Sequence, residues 1–308
     1  MTKVPIFWTG RLSPGIRMLM NTSNALAWLT GNARDTTAMK QRVKLGYEGK
    51  FTDHVTRYDE LGLDFQIKAA RAQLQGVSFM GKEVLDVGAG TGAVSFLALE
   101  YGAAKVVCGD ISEYMLEQCR KKARMKGLDD SRIDFVQLDA ETLPFGNDKF
   151  DITITGMTLG LIPNQSKAIS EMFRVTKPGG TVSVGAHGPE HYWESIDAYL
   201  KSINKRYVLG YRLEFWPKTE KQVERMLFAA GLSKVQTGRV IWRNEFANGG
   251  EAFDFFAAIS ATFWYAKFPK DKRRKDYEKV RKYFVRKHKT RVTDDIVLGY
   301  GQKPTSNE

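Results

Sequence analysis

The stretch "VLDVGAGTG" at residues 84–92 places glycines at 88, 90 and 92 directly after a short apolar run. Asp86 lies two residues ahead of the first glycine. Bare backbone of this kind lets a ligand approach the main chain, and the start of a following helix offers unpaired N–H groups. A purely structural tight turn is the alternative, but a single glycine normally suffices for one. Gly88, Gly90 and Ala93 also satisfy the relaxed G-x-G-x-x-A dinucleotide pattern, so the glycines alone do not decide the ligand. Asp86 argues against a pyrophosphate, which its carboxylate would repel, and for an ammonium or a sulfonium, which it would attract.

Two further acids fall in step with the first. Asp110 ends "KVVCGD" about 20 residues beyond the turn, where an adjacent strand presents a carboxylate to ribose hydroxyls. A solvated turn aspartate is the other reading of it. Asp139 opens "DAETLPF". A carboxylate there can accept from an adenine amino group while the next backbone N–H, that of Ala140, donates to a ring nitrogen. His187 and His191 stand four residues apart in "HGPEH". An imidazole titrates near neutrality and suits deprotonation of a phenol, enol or amine, so both are catalytic candidates. A strand-end histidine satisfied by backbone is the alternative for His187. Gly188-Pro189 argues against a helix between the two, and no third ligand accompanies them, so no metal site is expected.

The elements that must carry these residues follow from periodicity. From Gly81 onward, apolar strands ("EVLDVG", "KVVCGD", "IDFVQLD", "FDITITG", "TVSVGAH") alternate with helical segments ("AVSFLALEYG", "SEYMLEQCRKKARMKG", "SKAISEMFRVT"). That alternation predicts a parallel sheet covered on both faces. Ser112 and Thr219 are expected N-caps, Gly127 and Gly231 helix stops, and "KPGG" at 177–180 a turn. Residues 1–80 read as a helical N-terminal cap, with "SPGIRMLMNTSNALAWL" and "LGLDFQIKAARAQL" amphipathic. Residues 81–188 form the ligand-binding core, 189–232 a lid segment and helix, and 233–308 a sixth strand, an aromatic and basic helical insertion and a final strand.

In order and spacing, "VLDVGAGTG", "CGDIS", "LDAETLPF", "FDITITGMTLGLI" and "VTKPGG" resemble the class I S-adenosylmethionine (SAM) methyltransferases. The resemblance is firm over about 81–187, looser over the last hundred residues, and strongest to the small-molecule branch that includes the ubiquinone/menaquinone C-methyltransferases. It implies an α/β fold: a Rossmann-like, doubly wound, seven-stranded sheet with its last strand antiparallel, here with helical and aromatic lid insertions. It also implies SAM as cofactor and S-adenosylhomocysteine as its product. Carried over by position, Asp86, Gly88, Ala89, Gly90 and Gly92 hold the methionine end, Asp110 and Ile111 the ribose, and Asp139 and Ala140 the adenine. Thr155 and Gly156 border the sulfonium, and Tyr58 is a candidate for the methionine carboxylate, as a cap tyrosine is in some relatives. An Asn/Asp-Pro-Pro-aromatic stretch, typical of amino-methylating nucleic-acid enzymes, is absent after strand four; so are the clustered carboxylates of metal-dependent catechol methylation.

The net charge of +12 is concentrated: residues 267–291 hold 13 Lys/Arg against 3 Asp/Glu. Three readings of the basic helix 271–289 stand side by side: a solvated face, a peripheral contact with an anionic membrane surface, and nucleic acid, the last disfavoured. Aromatic residues crowd 192–216 and 242–268, as lid core or as an apolar substrate chamber. Two cysteines are too few for a disulfide framework, and neither a secretory signal nor a membrane-length apolar run is evident, so a cytoplasmic enzyme is expected. Its expected substrate is a small apolar or aromatic acceptor. RNA or protein methylation through the basic helix, or SAM binding without catalysis, are the alternatives; the acceptor and the oligomeric state stay open.

Overall fold

The computed structural model describes residues 11–31, 35–47, 57–204, 209, 218–260 and 273–305. The chain divides into two compact units, residues 1–62, 188–217 and 241–295 forming the first and residues 63–187, 218–240 and 296–308 the second.

A seven-stranded sheet is the body of the second unit. Its strands are β1 (Glu83–Val87), β2 (Lys105–Asp110), β3 (Ile133–Gln137), β4 (Phe150–Thr155), β5 (Thr176–His187), β6 (Ser233–Glu245) and β7 (Arg291–Gln302), in the order β3-β2-β1-β4-β5-β7-β6. Strands β1 to β5 pair in parallel, and β7 runs antiparallel to β5 with His187 opposite Ile296. The parallel strands are as the periodicity predicts, and the seven-stranded order with β7 antiparallel is as the family resemblance implies.

Strand residues alternate faces with period two, and two cores form accordingly. Val84, Val106, Cys108, Ile152 and Ile154 pack beneath α4 (Ala93–Glu100), α5 (Glu113–Met125) and the end of α3 (Tyr58–Leu74). Leu85, Val87, Val107, Val182 and Val184 pack beneath α6 (Gln165–Val175) and, further along the chain, the helix at Glu220–Ala229. A sheet covered on both faces exposes only its strand ends, which is where ligands of such folds bind. The caps are as expected: Ser112 accepts from the Met115 N–H at 3.3 Å, and Thr219 forms a capping box with Gln222. "KPGG" differs from expectation. It lies inside β5 as an irregularity, since Phe150 pairs with Thr176 but Ile152 with Thr181. A Cβ on Gly180 would sit 2.6 Å from the Asp151 carbonyl, so this excursion stays pressed against β4.

The first unit is helical: α1 (Pro14–Leu29), α2 (Thr36–Tyr47), α7 (Trp193–Ser202), α9 (Gly249–Ile259) and α10 (Arg273–Arg286), the helix at Glu220–Ala229 being α8. Among the described residues, several of its aromatic rings pack on one another. Phe253 lies 4.8 Å from Tyr277 and 5.1 Å from Phe284, and Tyr192 meets Phe256 edge-on at 5.8 Å. Tyr277, Val280 and Phe284 form the buried stripe of α10, while Arg274, Lys275, Lys279 and Lys282 face solvent. His288, which shares that helical spacing, falls beyond the helix end and is exposed with φ 45°. Asp254 ties α9 to α10, accepting from the Tyr277 hydroxyl at 2.8 Å and from two nitrogens of Arg281. His54, Trp216, Phe263, Trp264 and Tyr265 lie outside the described residues.

Candidate functional site

Because β3, β2, β1, β4 and β5 are adjacent and parallel, their C-terminal ends share one edge of the sheet. Along it come Asp139, Asp110, the glycine turn, Thr155 and His187, all in the second unit. Residues scattered over a hundred positions of sequence are thus brought into a single row.

The glycine turn is held from both sides. The Gly88 and Ala89 N–H groups donate to the Gly109 carbonyl at 2.7 and 2.9 Å. On the other side the Thr158 hydroxyl donates to the Gly88 carbonyl at 3.0 Å. Gly88 has φ +78°, and a Cβ there would come within 2.3 Å of Thr158 Cγ2, so both conformation and space demand glycine. Gly92, at φ +94°, leads into α4, where its missing Cβ leaves room for Cys119 Sγ.

Asp86 is 1 % exposed, and its Oδ2 accepts from the Ser95 hydroxyl at 2.6 Å. Its Oδ1 is buried and without a hydrogen-bond partner. Burial raises its pKa to about 7, Ser95 opposes the shift, and the nearby Asp110 charge adds to it. The carboxylate thus waits for a cation or a donor. Asp110 accepts from the Ser112 N–H at 2.8 Å and from the Gly90 N–H at 2.9 Å. The second bond staples β2 to the glycine turn, a role the sequence did not suggest. A carboxylate has about four lone-pair sites, so capacity remains for hydroxyl donors. Burial raises the Asp110 pKa while the backbone N–H groups of Ser112, Gly90 and Ile111 hold it down.

Asp139 accepts from the Glu141 N–H at 2.9 Å and bridges to Thr142, and this tight turn leaves Ala140 half-buried. Glu141 in turn accepts from the Asn164 N–H at 2.9 Å, joining the loops after β3 and β4. At the end of β4, Thr155 is fully buried and its Oγ1 has no hydrogen-bond partner. Ile111 is half-buried, and its carbonyl accepts from Gln137.

His187 ends β5 at 5 % exposure, and burial pushes its pKa down to about 3. It is therefore neutral at physiological pH, unlike the near-neutral titration its residue type suggests. A ring so reluctant to take a proton is a hydrogen bonder and a weak base. His191 belongs to the first unit, where its Nδ1 accepts from the Asp295 N–H at 3.2 Å and its ring lies 3.8 Å from that of Tyr192. Residues 188–192 form a turn, with Tyr192 at φ 54°. Tyr58, also in the first unit, meets Tyr47 edge-on at 6.0 Å.

Ser95, Thr158, Glu141 and Gln73 were missed by residue-type reasoning. Ser95 and Gln73 had a signal: each is a polar side chain on the buried face of a helix, at 0 % and 2 % exposure.

Residues 85–184 match the family model described as a methyltransferase domain. The chain is 33 % identical over 171 residues to demethylmenaquinone methyltransferase of Clavibacter sepedonicus, covering 51 % of this chain and 67 % of that protein. It is 38 % identical over 114 residues to the ubiquinone/menaquinone biosynthesis C-methyltransferase UbiE of Pseudoalteromonas translucida, covering 36 % of this chain and 45 % of that protein. The chain thus spans less than half the length of the UbiE relative. In fold it is similar to a candidate methyltransferase from Bacillus halodurans C-125, with TM-score 0.53 and 23 % identity over 77 % of this chain and 100 % of that one. The order of acids along the strand ends and these likenesses agree: the chain belongs to the class I SAM-dependent methyltransferases and resembles their ubiquinone/menaquinone C-methyltransferase members.

Proposed function

We propose that this enzyme transfers a methyl group from SAM to a small apolar or aromatic acceptor, of the quinone-like chemistry named in its relatives. The observation that carries the reading is the buried, unpartnered Asp86 Oδ1 beside a glycine turn, in one row with Asp110 and Asp139. When bound, SAM supplies a methyl group on a positively charged sulfur. Asp86 and residues 88–92 hold its methionine end, with Asp86 facing the ammonium. Asp110 and Ile111 take the ribose hydroxyls, and Asp139 and Ala140 the adenine edge. Thr155 and Gly156 border the sulfonium. Methyl transfer asks the protein for alignment and exclusion of water more than for proton chemistry. His187, neutral and buried, suits a hydrogen bond that orients an acceptor hydroxyl or carbonyl.

Incubation with methyl-labelled SAM and cell extract tests the reading. Label entering the organic-soluble small-molecule fraction supports it; label entering only RNA or protein, or nothing, overturns it. The exposed lysines and arginines of α10 favour a peripheral contact with an anionic membrane, where greasy acceptors reside. Sedimentation with phosphatidylglycerol vesicles but not phosphatidylcholine vesicles, lost at high salt, is the expected result. Among the described residues no helix is long and apolar enough to cross a membrane. The two free, buried thiols Cys108 and Cys119 suit a reducing cytoplasm.

A further inference from the structure

Gln73 is a buried amide, 2 % exposed, on a helix that otherwise packs its apolar side against the sheet. A buried amide that were not hydrogen-bonded would be costly, so its partners show what it is for. Its Nε2 donates to the Thr155 carbonyl at 3.0 Å and to the Ser183 hydroxyl at 3.1 Å. One side chain therefore bridges the end of β4 and the body of β5. The acceptor on β4 is the backbone of the residue whose hydroxyl is buried and unpartnered. The helix backbone that carries the amide is itself held: the Tyr300 hydroxyl donates to the main-chain carbonyl of Gln73 at 2.6 Å. Gly185 leaves the room the amide needs, since a Cβ there would lie 2.8 Å from Gln73 Oε1 and 3.1 Å from the Gly156 carbonyl.

We propose that Gln73 is a positioning residue that sets the Thr155–Gly156 backbone at the methyl-bearing end of the SAM site, an inference that rests on the function proposed above. Gln73 touches neither donor nor acceptor. It acts through the Thr155 carbonyl, whose direction decides whether a weak C–H···O contact with the methyl group is made. Such contacts are worth enough to change an affinity by roughly two- to fivefold. The effect belongs to the methyl-bearing sulfonium, so SAM responds and S-adenosylhomocysteine, which lacks both the methyl and the positive charge, does not.

The test is calorimetric titration of SAM and of S-adenosylhomocysteine into the wild-type chain, Gln73→Met and Ser183→Ala. Gln73→Met keeps the volume and removes both donors; Ser183→Ala removes only the bond to β5. The expected result is a roughly two- to fivefold loss of SAM relative to S-adenosylhomocysteine in Gln73→Met, with the ratio unchanged in Ser183→Ala. Should Gln73→Met not fold, Gln73→Leu, which also lacks both donors, carries the test and is expected to shift the ratio in the same direction. An unchanged ratio in the Gln73 variant that folds overturns the inference. So does an equal shift in Ser183→Ala. Failure of the wild-type chain to bind either compound overturns the proposed function instead, and is read from a separate titration.

Discussion

Asp86→Asn separates what this residue does for binding from what it costs the fold. The Asp86 carboxyl is fully buried with a pKa raised from 3.8 to about 7. A carboxyl with a raised folded-state pKa holds its proton more tightly folded than unfolded. Its ionisation therefore works against folding, increasingly from about pH 4 and fully once the pH exceeds about 7. At 1.36 kcal/mol per pH unit, the displacement amounts to about 4 kcal/mol at pH 8. Asparagine removes the charge and still accepts from Ser95, but leaves an amide N–H where Oδ1 had no partner, a cost of about 1–3 kcal/mol. The ligand-free variant should then be more stable than wild type by about 1–3 kcal/mol at pH 8. At pH 5, where wild-type Asp86 is protonated, that advantage should vanish or reverse. Urea melts of both proteins at intervals from pH 5 to 8, without SAM, measure this. On the proposed assignment the same variant should bind SAM more weakly by about tenfold or more at pH 8, having lost the charge proposed to face the ammonium. A stability difference between the two proteins that is independent of pH would refute the reasoning.

Three other outcomes follow from the same geometry. Asp110→Ala should weaken SAM binding about a hundredfold by calorimetry, since it removes the two charge-assisted bonds proposed to the ribose and also frees the Gly90 staple. Gly88→Ala should lower both Tm and SAM affinity, because the new Cβ meets Thr158 at 2.3 Å in a backbone with φ +78°; a variant with unchanged melting and binding contradicts the assignment. His187→Ala should lower turnover while SAM affinity holds, and the wild-type kcat profile should show no inflection from His187 between pH 5 and 8, because its pKa lies near 3.

The parallel part of the sheet was legible because its first four strands announce themselves as short apolar runs ending in a carboxylate or glycine, and parallel pairing then lines those ends up. The acids Asp86, Asp110 and Asp139 were readable as candidates for that reason. Their supporting residues were hidden because their partners are distant in sequence. Gln73 meets Thr155 across 82 positions, and Thr158 meets Gly88 across 70. The protonation of His187 was hidden for a different reason: residue type sets the starting pKa, but burial, which sequence does not display, moves it. In "KPGG" the local turn signal was overridden by β5 pairing with β4 on both sides of it.

A crystal structure of the chain with S-adenosylhomocysteine speaks most directly to all of this. Adenine is expected beside Asp139 and Ala140, the ribose hydroxyls on Asp110, and the amino acid end over residues 88–92 within reach of Asp86. An empty strand edge in crystals soaked to saturation, or a nicotinamide nucleotide bound there in preference, would contradict this placement.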